Sequence, residues 1–262
     1  MDWFDEFCEE YGIPESKLKL LKDKTLEEVI EEGETEHDKR PSREDLVPYT
    51  MIGINVRLSK DVIRIIDLIV GKHKNVKSRS KVVAFATKLG VTFDSMYEVK
   101  PFGRLRNTLV DVVGNIKDEL VFEMANKELN ELNDLSGYRE KGATELFTLR
   151  PFWWVTAYIS DFAPNYNVNN KSFVARLLLY YGLSRSEKYL PPMYRAKMID
   201  AVKNMVNEVN IAYRNSFEVC KRVCWYVSKY DKGMVDEMVK KVKKIDSELY
   251  DELVKYLSST NI

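Results

Sequence analysis

The sequence predicts a mainly α-helical protein with one short two-stranded antiparallel β-ribbon. Three observations carry that reading: residues 53–90 run strand, helix, turn, helix; the same order recurs about ninety residues later; and apolar residues elsewhere fall at helical spacing. With 262 residues, 45% of them hydrophobic, the chain is long enough to bury a sizeable core.

The elements follow in order. Residues 3–33 read as helical, with a break at Gly12-Ile13-Pro14 and with Leu18, Leu21, Leu26 and Ile30 at helical spacing. From Gly33 to Pro48 the composition turns polar and gains two prolines, as a linker does, so 1–50 is an acidic helical segment plus linker. Ile54-Asn55-Val56-Arg57-Leu58 then alternates apolar and polar like a half-buried strand. Ser59 is placed to cap a helix carrying Val62, Ile65, Ile66 and Ile69 that ends near Gly71. Ser78 is placed to cap a second, carrying Val82, Val83, Phe85, Ala86 and Leu89 and closed by Gly90.

At an offset of 93, Phe147-Thr148-Leu149-Arg150 matches Ile54 to Arg57 in the same phase. At an offset of 92, after a one-residue deletion in the turn, Ser172 to Gly182 lies on Ser80 to Gly90 and Tyr189 on Tyr97. Both copies continue through a proline-bearing loop, at Pro101 and at Pro191-Pro192, into another helix. The expected organisation is therefore two homologous units with following helices, 51–135 and 144–230. A C-terminal amphipathic helix, 231–262, follows, with Met234, Met238, Val242, Ile245, Leu249 and Leu253 on one face.

Charge is balanced overall, 41 basic against 41 acidic side chains, but segregated. Residues 1–50 hold 16 Asp/Glu and 7 Lys/Arg, a net of −9, whereas residues 53–90 hold 9 Lys/Arg and 2 Asp/Glu, a net of +7. The second segment attracts polyanions and the first repels them.

From INVRLS through IDLIVGK to KSRSKVVAFATKLG, the chain resembles the ribbon-helix-helix family of DNA-binding proteins, clearly over Gly53 to Gly90 and more weakly over Leu146 to Gly182. The resemblance implies that two such units pair, their strands forming a ribbon that enters the DNA major groove over a four-helix core. Here both units lie on one chain, which implies an intramolecular pseudo-dimer with an asymmetric ribbon. Pro151 and the Phe152-Trp153-Trp154 run depart from the family's polar first-helix start; the Trp pair reads as core. The layout of two units with extra helices looks like the transcription regulators of filamentous archaeal viruses, the AvtR type. That likeness implies a viral regulator that spreads along DNA by self-association.

Strand alternation assigns the roles. Ile54, Val56, Leu58, Phe147 and Leu149 would face the helices, and Asn55, Arg57, Thr148 and Arg150 would project outward as base readers. Arg forks onto guanine O6 and N7, Asn onto adenine N6 and N7, and Thr offers a hydroxyl and a methyl. At the start of the second helix of each unit, Lys77, Ser78, Arg79 and Ser80, and Asn170, Lys171 and Ser172, would hold phosphates beside exposed amides. Such contacts set register and salt dependence.

Enzyme chemistry is the least favoured class. The sequence has no Gly-rich phosphate loop and no HExxH helix, and its two histidines, His37 and His73, leave little for acid-base work. No cofactor, metal or small-molecule substrate is expected. Three cysteines, Cys8, Cys220 and Cys224, are too few for a disulfide framework and point to a reducing cytoplasm, in a host cell if the protein is viral. The opening MDWFDEFCEEYG reads as neither signal peptide nor membrane span. The absence of glutamine leans toward a heat-adapted source. The expected partner is double-stranded DNA. Two other readings stand beside the regulator: an architectural DNA-coating or packaging protein, and a partition or antitoxin-like adaptor whose acidic N-terminal or C-terminal helices hold a protein partner.

Overall fold

A lone strand leaves its ladder groups unpaired, so an isolated INVRLS segment needs a second strand. In the computed structural model, strand β1 (Ile54–Ser59) finds it in β2 (Thr144–Leu149), and the two form one antiparallel sheet. The structure describes residues 15–39, 53–93, 100–135, 144–166 and 171–260, together with Glu9. The expected break at Gly12-Ile13-Pro14, residues 40–48 of the expected linker, Tyr97 and Asn170 lie outside the described residues.

The rest is helical. Helices α1 (Glu15–Lys22) and α2 (Leu26–Glu32) precede a 3-10 turn at Glu36–Asp38; α3 (Lys60–Ile69) and α4 (Arg79–Gly90) follow β1; then come α5 (Phe102–Gly114) and α6 (Glu119–Leu135). After β2 lie α7 (Trp153–Tyr166), α8 (Lys171–Ser184), α9 (Pro192–Ser228), α10 (Lys232–Ile245) and α11 (Ser247–Ser259). No helix among the described residues is long and apolar enough to cross a membrane.

Two compact units divide the chain. The first comprises Met1–Glu98, Arg139–Ala163 and Asn170–Met205, and so holds the ribbon, α3, α4 and α8. Its core is built by the interlocked pair α4 and α8, with Phe85, Leu89, Phe173 and Tyr180 fully buried. β1 packs on α8 and β2 touches α4, so each strand leans on the helix that belongs to the other strand's half. Gly90 and Gly182 allow the helices to meet at backbone distance. A Cβ on Gly90 would collide with the Leu178 backbone, and one on Gly182 with the Ala86 backbone. Gly90 closes α4 as its position suggested, while Gly182 lies inside α8, which runs on to Ser184. Neither has positive φ; their smallness is needed for the crossing.

Caps set the helix boundaries. Ser59 Oγ accepts from Val62 N and Ser78 Oγ from Lys81 N, each at 3.4 Å. The single helix expected after residue 15 is two, because Thr25 and Glu28 form a reciprocal capping box that starts α2 afresh. Residues 33–39, read as linker, are anchored. Asp38 is buried, accepts from Trp154 Nε1 (2.9 Å) and pairs with the buried Lys88 ammonium. Burial opposes charge on Asp38, but the Lys88 and Trp154 donors and the Lys88 charge outweigh it and hold the carboxyl below its ordinary range. Glu27 acts likewise at the end of α8. It takes the Ser186 hydroxyl (2.5 Å) and the amides of Glu187, Lys188 and Tyr189 (2.9–3.0 Å), which outweigh its burial and lower its pKa.

The second unit comprises Val99–Tyr138, Pro164–Asn169 and Val206–Ile262. In it α10 packs against α5 and α11, and α5 against α6. Arg222 joins Glu128 and Glu131, and Cys220 and Cys224 are buried and free. The expected single C-terminal helix is two helices. Asp246 leaves helical geometry at φ −156° and caps α11 through the amides of Glu248 and Leu249. Tyr213 and Lys100 hold its other carboxylate oxygen.

Candidate nucleic-acid interface

The ladder pairs Ile54 with Leu149, Asn55 with Thr148, Val56 with Phe147 and Arg57 with Leu146. Exchanging the strands about the Asn55–Thr148 rung maps this ladder onto itself, since the offset of 93 carries Ile54 to Phe147 and Val56 to Leu149. Ile54, Val56, Leu58 and Leu149 are buried against the helices and Phe147 is half-buried. Alternation then sends Asn55, Arg57 and Thr148 outward, and Arg150, one residue past β2, is exposed as well.

The four side chains expected to read bases therefore share one solvent face. At its centre Thr148 Oγ1 donates to Asn55 Oδ1 (2.8 Å), which leaves the Asn55 amide as donor and the Thr148 oxygen as acceptor. Among the described residues neither the Arg57 nor the Arg150 guanidinium has an ion-pair partner. The sequence reading passed over Leu146, which stands on this face beside Arg57 with 68% of its surface exposed. Strand phase alone would have found it, had the strand been read from Thr144 rather than from Phe147.

The helix starts are more occupied than the sequence suggested. Lys77, Ser78 and Ser80 are exposed at the head of α4. Arg79, however, forks onto Asp67 of α3 (Nε to Oδ1 2.6 Å, Nη2 to Oδ2 2.7 Å), and Lys81 pairs with Glu34. At the head of α8, Lys171 is exposed and Ser172 half-buried, and Lys171 Nζ donates to Ser160 Oγ (3.0 Å). Asn170, the remaining residue of that set, is outside the described residues. Ser160 and Lys171 occupy the positions of Asp67 and Arg79 under the same offsets of 93 and 92. Both halves thus tie the first helix to the head of the second at one place, by a carboxylate in one and a neutral hydroxyl in the other. Aligning the halves beyond their apolar residues would have exposed this tie.

Trp154 is buried and Trp153 half-buried, so the ring of Trp154 serves the core and its N–H serves Asp38. Comparison of the chain with protein-family models, with curated proteins and with solved structures finds no match.

Proposed function

We propose that this protein binds double-stranded DNA and reads its sequence by laying the β1–β2 ribbon in the major groove, as a transcription regulator made of two ribbon-helix-helix units fused into an intramolecular pseudo-dimer. The observation that carries the reading is the outward row Asn55, Arg57, Thr148 and Arg150 on a ribbon that maps onto itself about its central rung. A two-stranded ribbon fits a major groove about 12 Å wide, where Arg, Asn and Thr have defined partners on base edges. Backbone contacts would come from the heads of α4 and α8, through Lys77, Ser78, Ser80, Lys171 and Ser172. Arg79 joins them only by giving up Asp67.

Selection from a random duplex library, followed by fluorescence anisotropy with the enriched and a scrambled duplex, tests this. The wild-type chain enriches a motif and prefers it about a thousandfold or more over the scrambled DNA. Arg57→Ala and Arg150→Ala each lower affinity for the motif about 10- to 100-fold and leave scrambled DNA much less affected. Equal affinity for every duplex would instead mark a coating protein, and no binding at low salt would end the DNA reading.

A further inference from the structure

Exchanging the strands maps the Arg57/Leu146 rung onto positions 150 and 53, so each end of the ribbon pairs an arginine with one neighbour. At one end that neighbour is Leu146; at the other it is Gly53. The difference is enforced by packing. A Cβ on Gly53 would lie 2.5 Å from Thr148 Cγ2 and 3.4 Å from the Leu149 carbonyl oxygen, so a side chain there would displace Thr148 from the central rung. Leu146 meets no such obstacle, and its exposure exceeds that of Leu20, Met193 and Leu120, the next most exposed large apolar side chains among the described residues. It shares its face with an asparagine, a threonine and two arginines.

Resting on the ribbon reading, we infer that Leu146 is a specificity-determining residue that packs on the C5 methyl of a thymine beside the base pair read by Arg57, and that the Gly53 end makes no equivalent contact. In the major groove the thymine methyl is the one apolar feature that distinguishes a base pair. A leucine there covers it, while an arginine at the same depth reaches the neighbouring guanine. The recognised DNA is accordingly asymmetric: a methyl is demanded in one half-site and ignored in the other.

The test uses the full chain and the duplex enriched by selection, with each thymine replaced in turn by deoxyuridine, which lacks only the methyl. Binding by the wild type weakens about fourfold at one position in one half-site, the value of one buried methyl-sized group. Replacement at the symmetry-related position changes nothing. Leu146→Ala binds the thymine and deoxyuridine duplexes equally, whereas Leu146→Met keeps the preference. The side chain is exposed, so unchanged melting temperatures are expected of both variants.

A deoxyuridine penalty that persists in Leu146→Ala, or that is absent from the wild type on an otherwise selective motif, overturns the inference and leaves the ribbon reading intact. If Leu146→Ala instead abolishes self-association with no change in deoxyuridine response, the side chain is a protein contact and the inference falls. A selection that enriches no motif removes the ribbon reading and this inference with it.

Discussion

Two stretches of the chain, β1-α3-α4 and β2-α7-α8, share their order of elements and one ladder but differ in their side chains. The ladder closes on itself about Asn55 and Thr148, and the contact of Gly90 with Leu178 repeats as that of Gly182 with Ala86. Yet Asp67–Arg79 becomes Ser160–Lys171, Gly53 becomes Leu146, and buried Lys88 becomes buried Tyr180. Of this pair the lysine alone is charged, and Asp38 of the N-terminal segment neutralises it. Close backbone approach tolerates almost no change in volume, whereas a paired polar position needs only a satisfied partner. Symmetry is kept at the glycine crossing, where an added carbon would meet backbone on either side, and lost at the side-chain pairs around it.

The largest break in that comparison should come from Asp38→Ala, which strands the Lys88 ammonium and the Trp154 N–H. We expect a loss of about 3–5 kcal/mol in urea unfolding, as for other half-removed buried pairs. The same group predicts the acid response. Asp38 and Glu27 both have folded pKa values below their ordinary ones, so their stabilisation is complete above the ordinary carboxylate range and fades as pH falls through the lowered values. The melting temperature should drop steeply below about pH 4, and the drop should be shallower in Glu27→Gln.

Next in size, Gly90→Ala and Gly182→Ala should each cost about 3 kcal/mol, and by nearly equal amounts, because each pushes a methyl into the opposing helix backbone. Gly114→Ala, with nothing within 4 Å of the added carbon, should be neutral or stabilising by less than about 1 kcal/mol. A large inequality between the first two would show that the halves bear load differently. The smallest effect sharpens the electrostatic contrast: Asp67→Asn, by freeing Arg79, should steepen the salt dependence of DNA binding by about one unit, while Ser160→Ala should not.

Much of the ribbon was legible in the sequence because strand alternation, serine caps and the repeat are local signals. Ile54, Val56, Leu58 and Leu149 are buried, and Ser59 and Ser78 cap as their positions suggested. The packing role of Gly90 and Gly182 was hidden because a helix-ending and a helix-crossing glycine look alike until the opposing helix is in place. Asp38 and Glu27 were hidden in an acidic run that reads as solvated, since Lys88, Trp154 and Ser186, which hold them in the core, lie 50 or more residues away. Thr25-Leu-Glu-Glu28 carried its capping box in plain view, but the apolar spacing of Leu21 and Leu26 across it argued for continuity. The break at Asp246 had a local cap in the amides of Glu248 and Leu249, but Tyr213 and Lys100, which hold its other oxygen, are distant residues that no local window contains.

Because β1 and β2 are tethered in one polypeptide, ribbon closure is a first-order event. Dilution cannot dissolve it, unlike a ribbon shared between two molecules, whose population follows the square of monomer concentration. A single copy of the chain is enough to complete the surface, and a mutation in one strand alters one arm alone, so drift at position 53 or 146 is never duplicated by a mate.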